Sequence, residues 1–201
     1  MLVLRSSTSS PFARKIRIAA NMLGLANQIH IEPTDTLDPK DSVRKQNPLG
    51  KIPTLILEDG TTLFDSPVIL EYLDDHAGGG RILPRSGTQR FEALRLQALA
   101  DGIMDAGILR VYEGRFRSPE KHEAKWLDHQ TDKISRTLAV LEESPPAFRP
   151  MLHVGHLTLA CALGYLDFRF EGQWRKNHPK LVKWLDEFAA KVPVFNETKP
   201  Q

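Results

Sequence analysis

The chain has 201 residues, 41% of them hydrophobic, and its 27 basic and 25 acidic side chains leave a net charge of only +2. That is apolar material for a core in one domain or two small ones, with too little charge bias to argue for nucleic acid or an anionic membrane as partner. No apolar run approaches the ~20 residues of a membrane span, no signal peptide is evident, and the single Cys161 excludes an internal disulfide, a C-x-x-C pair and a cysteine-rich metal centre, so a cytoplasmic location is expected.

Leu2-Val3-Leu4-Arg5 reads as a strand, followed by the hydroxyl-rich loop Ser6-Ser7-Thr8-Ser9-Ser10. Pro11 suits a first helical turn, and Phe12, Ile16, Ala19, Ala20 and Leu23 recur at helical spacing until about Gly24. A hydroxyl in that loop sits before unsatisfied backbone N–H groups and the positive end of a helix dipole, which favour an anion. The loop alone does not say which anion, and serines there also serve simply as caps.

Gln28-Ile29-His30-Ile31-Glu32 alternates like a strand closed by Pro33, completing a βαβ unit. Residues 34–50, with Pro39, Pro48 and Gly50, read as an irregular connection with room for one short helix. Pro53–Leu57 and Thr61–Phe64 flank Asp59-Gly60, a hairpin signal because both turn positions tolerate positive φ. In Asp65-Ser66-Pro67, Ser66 is the predicted N-cap and Pro67 the first helical residue of a helix running through Ile69, Leu70 and Leu73 towards His76.

Ala77-Gly78-Gly79-Gly80 and Pro84-Arg85-Ser86-Gly87 read as a linker. Beyond it the pattern is helical throughout, with segments predicted at about 88–117, 119–143, 154–169 and 178–190. The fold class is therefore α/β plus all-α: a βαβ-ββα domain over 1–79 and a helical domain over 86–201.

The order of these halves resembles the cytosolic glutathione S-transferase superfamily, in which a thioredoxin-like domain precedes a helical one. The resemblance covers nearly the whole chain and is carried by Ser10-Pro11-Phe12-Ala13-Arg14-Lys15-Ile16-Arg17, Asn47-Pro48-Leu49-Gly50-Lys51-Ile52-Pro53, Phe64-Asp65-Ser66-Pro67-Val68-Ile69 and Ala100-Asp101-Gly102-Ile103-Met104-Asp105-Ala106. It implies a homodimer with glutathione as co-substrate, a small electrophile as second substrate, and no metal or nucleotide.

By the same resemblance, Ser10 donates a hydrogen bond to the glutathione thiolate, with Ser9 as the alternative one residue away. Pro53 is expected to be cis, presenting the Ile52 backbone to the cysteinyl residue, although a proline opening an ordinary strand fits the residues too. Ser66 is expected to take the γ-glutamyl carboxylate and Asp65 the ammonium, a role compatible with plain helix capping. Lys40 stands where the family often contacts the glycyl carboxylate.

Asp101 and Asp105 lie four apart on one helix face, continued by Ile108 and Tyr112. The resemblance has Asp105 reach the glutathione of a dimer mate; alternatives are an ion pair with Arg14 and Arg17, or a metal site that no other residues support. Met104, Ile108 and Tyr112 are candidates for the electrophile pocket, while Cys161, in Leu159-Ala160-Cys161-Ala162-Leu163, reads as inert core. A glutathione-dependent isomerase of the zeta kind and a non-catalytic glutathione- or ligand-binding protein are the competing functions.

One departure from the family stands at the penultimate long helix, where its usual Ser/Thr and Asp capping pair is replaced by His153 and His156. Histidine is a poorer cap that titrates near neutral pH, so replacing His153 with Ser and His156 with Asp is predicted to add roughly 1 kcal/mol.

Overall fold

The computed structural model describes residues 1–200. Strand β1 (Leu2–Ser6) leads through helix α1 (Pro11–Leu23) to β2 (Ile29–Pro33), and a loop with the short helix α2 (Val43–Gln46) leads on to β3 (Thr54–Ile56) and β4 (Thr62–Leu63). Helix α3 (Ser66–His76) closes this half, and α4 (Gly87–Phe116), α5 (Ala124–Glu143), α6 (Val154–Phe170), α7 (Pro179–Lys191) and α8 (Val194–Glu197) complete the chain.

The sheet order is β2-β1-β3-β4, with β1 parallel to β2 and the β1–β3 and β3–β4 pairs antiparallel. Leu4 pairs with Ile31 on one side and Leu55 on the other, which centres the sheet on two fully buried leucines. The thioredoxin-like arrangement followed by helices is thus the one expected.

Local stops explain the element ends. Ser10 caps α1, its Oγ accepting from the Ala13 N–H at 3.2 Å, and Gly24 ends the helix in the left-handed region at φ 76°. In the hairpin, only Gly60 of the Asp59-Gly60 pair takes positive φ, at 85°, while Asp59 Oδ1 accepts from the Thr61 N–H.

Three expectations need correction. Asp65, not Ser66, is the N-cap residue of α3; Ser66 already lies in the helix, and Pro67 takes its next position. The segment expected at 119–143 divides into a 3-10 turn at Pro119–Lys121 and α5, whose start is capped by Glu123 Oε1 accepting from the Lys125 N–H.

The third correction concerns the histidines. His153 Nδ1 accepts from the Gly155 N–H and His156 Nδ1 from the His153 N–H, so the two rings form a complete capping box. His156 is buried, hydrogen-bonds the Ala147 carbonyl through Nε2 at 2.9 Å and packs against Phe148. Burial lowers His153 to about 4 and His156 below its ordinary value, so both rings favour the neutral form. An aspartate at 156 reproduces the cap but loses the carbonyl bond and places a carboxylate among aromatic rings, which reverses the stabilisation expected above.

A continuous hydrophobic core runs from Leu2 and Leu4 through Leu70 and Ile103 to Phe188 and Phe195, so the sheet side and the helices share one apolar interior. Gly155 permits a close approach within it. A Cβ there would lie 2.7 Å from the Ala93 carbonyl oxygen and from Leu96 Cβ, which brings α6 directly onto the backbone of α4.

Candidate functional site

Strand directions gather the sequence motifs at one edge of the sheet. The chain leaves β1 and β4 there and enters β3 from the same end, because β3 runs antiparallel to both. The serine loop after β1, the Ile52–Pro53 peptide before β3 and the start of α3 after β4 therefore share an edge, with the N-termini of α1 and α3 directed to it.

In the serine loop, Ser10 Oγ accepts one hydrogen bond from α1, and its O–H proton is given to no acceptor among the described residues. Ser9 Oγ instead lies 3.0 Å from Ser7 Oγ. Ser9, Ser10 and Pro11 line a narrow cavity with Arg14, Cys161, Tyr165 and Pro200. Cys161 is fully buried and its thiol is pushed up to about 11 by that burial, so it is protonated and unreactive at neutral pH.

The Ile52–Pro53 peptide is cis. Asn47, to which the motif alone assigns no role, organises its approach: the buried amide donates Nδ2–H to the Lys51 carbonyl and to Thr54 Oγ1, and its Oδ1 accepts from the Leu49 N–H. Each polar group of the side chain is thereby used to fix the loop in front of β3.

At the start of α3, Ser66 is buried and Asp65 is exposed without a side-chain capping bond. Across from them on α4 stand Asp101 and Asp105. The residue that pairs with Asp101 is neither Arg14 nor Arg17 but Lys15, fully buried, whose Nζ donates to Asp101 Oδ1 at 2.6 Å. Arg14 and Arg17 turn to the end of the chain, donating to the Phe195 and Thr198 carbonyls.

Burial lowers Lys15 and raises Asp101, each resisted by the charge of the other, with Asp65 also favouring the lysine cation. Asp105 remains solvent-accessible, but partial loss of hydration raises its carboxyl, with Asp65 adding to the rise and Lys51 and Lys15 opposing it. Two cations, buried Lys15 and exposed Lys51, therefore stand against three carboxylates at the mouth of the site. Such a surplus of negative charge fits an ammonium group.

Other residues fall elsewhere. Lys40 is exposed on the 34–46 loop without an ion-pair partner among the described residues. Met104 is fully buried in the core, whereas Tyr112 is exposed on α4. Tyr165 reaches the serine loop from α6; it was hidden in the sequence inside an apolar run. No set of three or more His, Cys, Asp or Glu side chains able to hold a metal ion occurs, and no helix is long and apolar enough to cross a membrane, among the described residues.

Residues 9–76 match the family model for the glutathione S-transferase N-terminal domain, and residues 124–187 that for its C-terminal domain. The chain is 34% identical, over 98% of both lengths, to a protein of Escherichia coli (strain K12) described as "Uncharacterized GST-like protein YibF". It matches a glutathione transferase family member from Pseudomonas fluorescens Pf-5, crystallised with bound glutathione, at 42% identity and a TM-score of 0.93, with all of both chains covered. A structure of a Pf-5 family member with bound S-(propanoic acid)-glutathione matches over the same span, also at 42% identity, with a TM-score of 0.88. With this fold, this order of motifs and relatives of full length, the chain belongs to the cytosolic glutathione S-transferase superfamily.

Proposed function

We propose that the protein is a serine-type glutathione transferase that stabilises the glutathione thiolate for attack on an electrophilic carbon of a small molecule. The observation that carries this reading is the gathering of Ser10, the cis Ile52–Pro53 peptide and the Asp65–Ser66 helix start at one sheet edge. The full-length match to a glutathione-bound relative supports it.

A thiol of ordinary pKa near ~8.5 is mostly protonated at neutral pH. Ser10 O–H donates to the sulfur and, with the N-terminus of α1, favours the thiolate, while the proton leaves to solvent. Ser10 is preferred over Ser9 because it directly precedes Pro11 at the start of α1 and its hydroxyl proton has no acceptor among the described residues, whereas the Ser9 hydroxyl shares a hydrogen bond with that of Ser7. Sulfur then bonds to the electrophilic carbon, and the leaving group departs with its electron pair. No metal or nucleotide enters this reaction.

In the same reading, residues 1–79 form the glutathione-binding domain and 86–201 the helical domain. The Ile52 backbone pairs with the cysteinyl residue beside Pro53, the Ser66 N–H takes the γ-glutamyl carboxylate, Asp65 and the Asp105 of a second copy take its ammonium, and Lys40 takes the glycyl carboxylate. Exposed Val68 and Phe91, and a groove lined by Leu99 and Val140 between α4 and α5, support a homodimer. The role is cytoplasmic detoxification, with a glutathione thioether, the class bound in the Pf-5 protein, as product.

The test is conjugation of 1-chloro-2,4-dinitrobenzene alongside retention on immobilised glutathione, for the wild type, Ser10→Ala and Ser9→Ala. Ser10→Ala is expected to keep retention and lose at least about tenfold in turnover. Unchanged turnover in Ser10→Ala overturns its assignment, and retention with no turnover in the wild type favours a binding protein instead. Isomerisation of a cis double bond without consumption of glutathione would identify the zeta-like activity.

A further inference from the structure

Three arginines of the helical half lie over aromatic rings with no acid to pair with. Arg5 is matched by Glu32 and Asp41, and Arg175 by Asp167, whereas Arg110, Arg115 and Arg169 have no carboxylate in ion-pair reach among the described residues. Each instead lies over an aromatic ring: Arg110 over Phe170 at 4.2 Å, Arg115 over Tyr112 at 5.3 Å and Arg169 over Phe168 at 4.2 Å. Arg169 Nε is also buried without a hydrogen-bond acceptor among the described residues. Arg169 is half-buried and, among the described residues, has no carboxylate to offset its charge; an anion arriving at the accessible part of the guanidinium supplies that offset.

Tyr165 connects Arg169 and Arg115 to the serine loop. It lines the cavity with Ser9 and Ser10, and it precedes Arg169 by one helical turn on α6. Gly107 on α4 makes room for it, since a Cβ there would come within 3.2 Å of the phenol ring. Burial raises the phenol above its ordinary value; the Arg169 charge and a hydrogen bond to Arg169 oppose that rise, Tyr112 adds to it, and Arg115 also opposes it. Tyr165 therefore stays a neutral hydroxyl with guanidinium groups around it. Tyr165, beside the serine loop, thus stands in a wall of aromatic rings and guanidinium groups.

We infer that this wall selects electrophiles carrying a carboxylate on a flat or aromatic body: Arg169 binds the carboxylate, Arg115 adds to the positive field, and exposed Tyr112 packs against the body, with buried Tyr165 backing the wall. The inference rests on reading the cleft as a glutathione site. It adds the charge class of the second substrate.

The test compares binding of S-(4-carboxybenzyl)glutathione and S-benzylglutathione by titration calorimetry, with glutathione itself as reference. The wild type is expected to bind the acid about tenfold more tightly than the neutral conjugate, Arg169→Gln to bring the two within about twofold, and Arg169→Lys to keep part of the preference. Equal affinities in the wild type, or an acid preference that survives Arg169→Gln combined with Arg115→Gln, overturn the inference. If glutathione binds while the conjugates do not differ, the inference fails and the glutathione reading stands; if neither glutathione nor the conjugates bind, both fail.

Discussion

Lys15 Nζ and Asp101 Oδ1 meet at 2.6 Å, the lysine fully buried and the aspartate side chain 16% exposed, and this pair ties α1 to α4 across the two halves of the chain. Removing one partner leaves the other charge buried and uncompensated, which is the expensive way to break such a pair. Lys15→Met and Asp101→Asn are each expected to cost about 3 kcal/mol, while the double substitution costs less than their sum. Urea unfolding in a double-mutant cycle reads this directly; additive losses would show that the two groups do not act as a pair.

Arg5 plays a comparable part under the 34–46 loop. Its guanidinium donates to Thr34 Oγ1 at 2.8 Å, Glu32 Oε1 at 2.8 Å, Ser42 Oγ at 2.7 Å and Gln46 Oε1 at 3.2 Å, and it also pairs with Asp41. The planar fork spans strand, loop and α2 at once, which a lysine ammonium cannot imitate. Arg5→Lys is therefore expected to raise amide exchange across residues 34–46 by about tenfold or more while β3 and α1 stay protected, and mass-spectrometric hydrogen exchange checks it. Unchanged exchange in the loop would show that its order does not depend on the Arg5 fork.

The histidine capping box makes stability depend on acid. Both Nδ1 atoms accept backbone N–H groups, so protonating either ring removes a cap. With His153 lowered to about 4 from an ordinary 6.5, the unfolded chain binds its proton before the folded one does. Stability from this group is therefore full above about pH 6.5 and falls as pH drops towards 4. His153→Ser should flatten part of that slope, whereas His156→Asp, which loses the Ala147 bond and the packing on Phe148, should lower the melting temperature at pH 7 by several degrees. Thermal melts at pH 7, 6 and 5 separate the two effects, and a higher melting temperature for His156→Asp would reverse the assignment.

Residues whose partners are near in sequence were legible, and those whose partners are distant were not. Pro11 and Gly24 bound α1 through local backbone chemistry, so both ends are readable from the chain alone. Asp65 and Ser66 are both good caps, and proline fits either early helical position, so composition does not choose between them. Arg14, Lys15 and Arg17 are alike in sequence; which of them meets Asp101 is decided by how α1 and α4 pack. His153 and His156 look like weak caps until Ala147 and Phe148 are brought beside them. Tyr165 reads as core because its neighbours are core, and only its approach to Ser9 and Ser10 distinguishes it.

Two glycines set opposite expectations for one substitution. Gly155, at the start of α6, sits where a Cβ would meet the Ala93 carbonyl oxygen and Leu96 Cβ at 2.7 Å, and a backbone atom cannot swing aside. Gly155→Ala must therefore push α6 from α4, costing about 1–3 kcal/mol. Gly114 lies within α4, and a Cβ added there would meet nothing within 4 Å. At that position alanine encounters no clash and reduces the freedom of the unfolded chain, so Gly114→Ala should add about 0.5–1 kcal/mol. Paired urea denaturation curves measure both. Because each variant adds the same methyl group, a loss in Gly155→Ala together with a gain in Gly114→Ala isolates the α4–α6 contact as the cause, and a loss at both positions would instead point to a requirement for flexibility along α4.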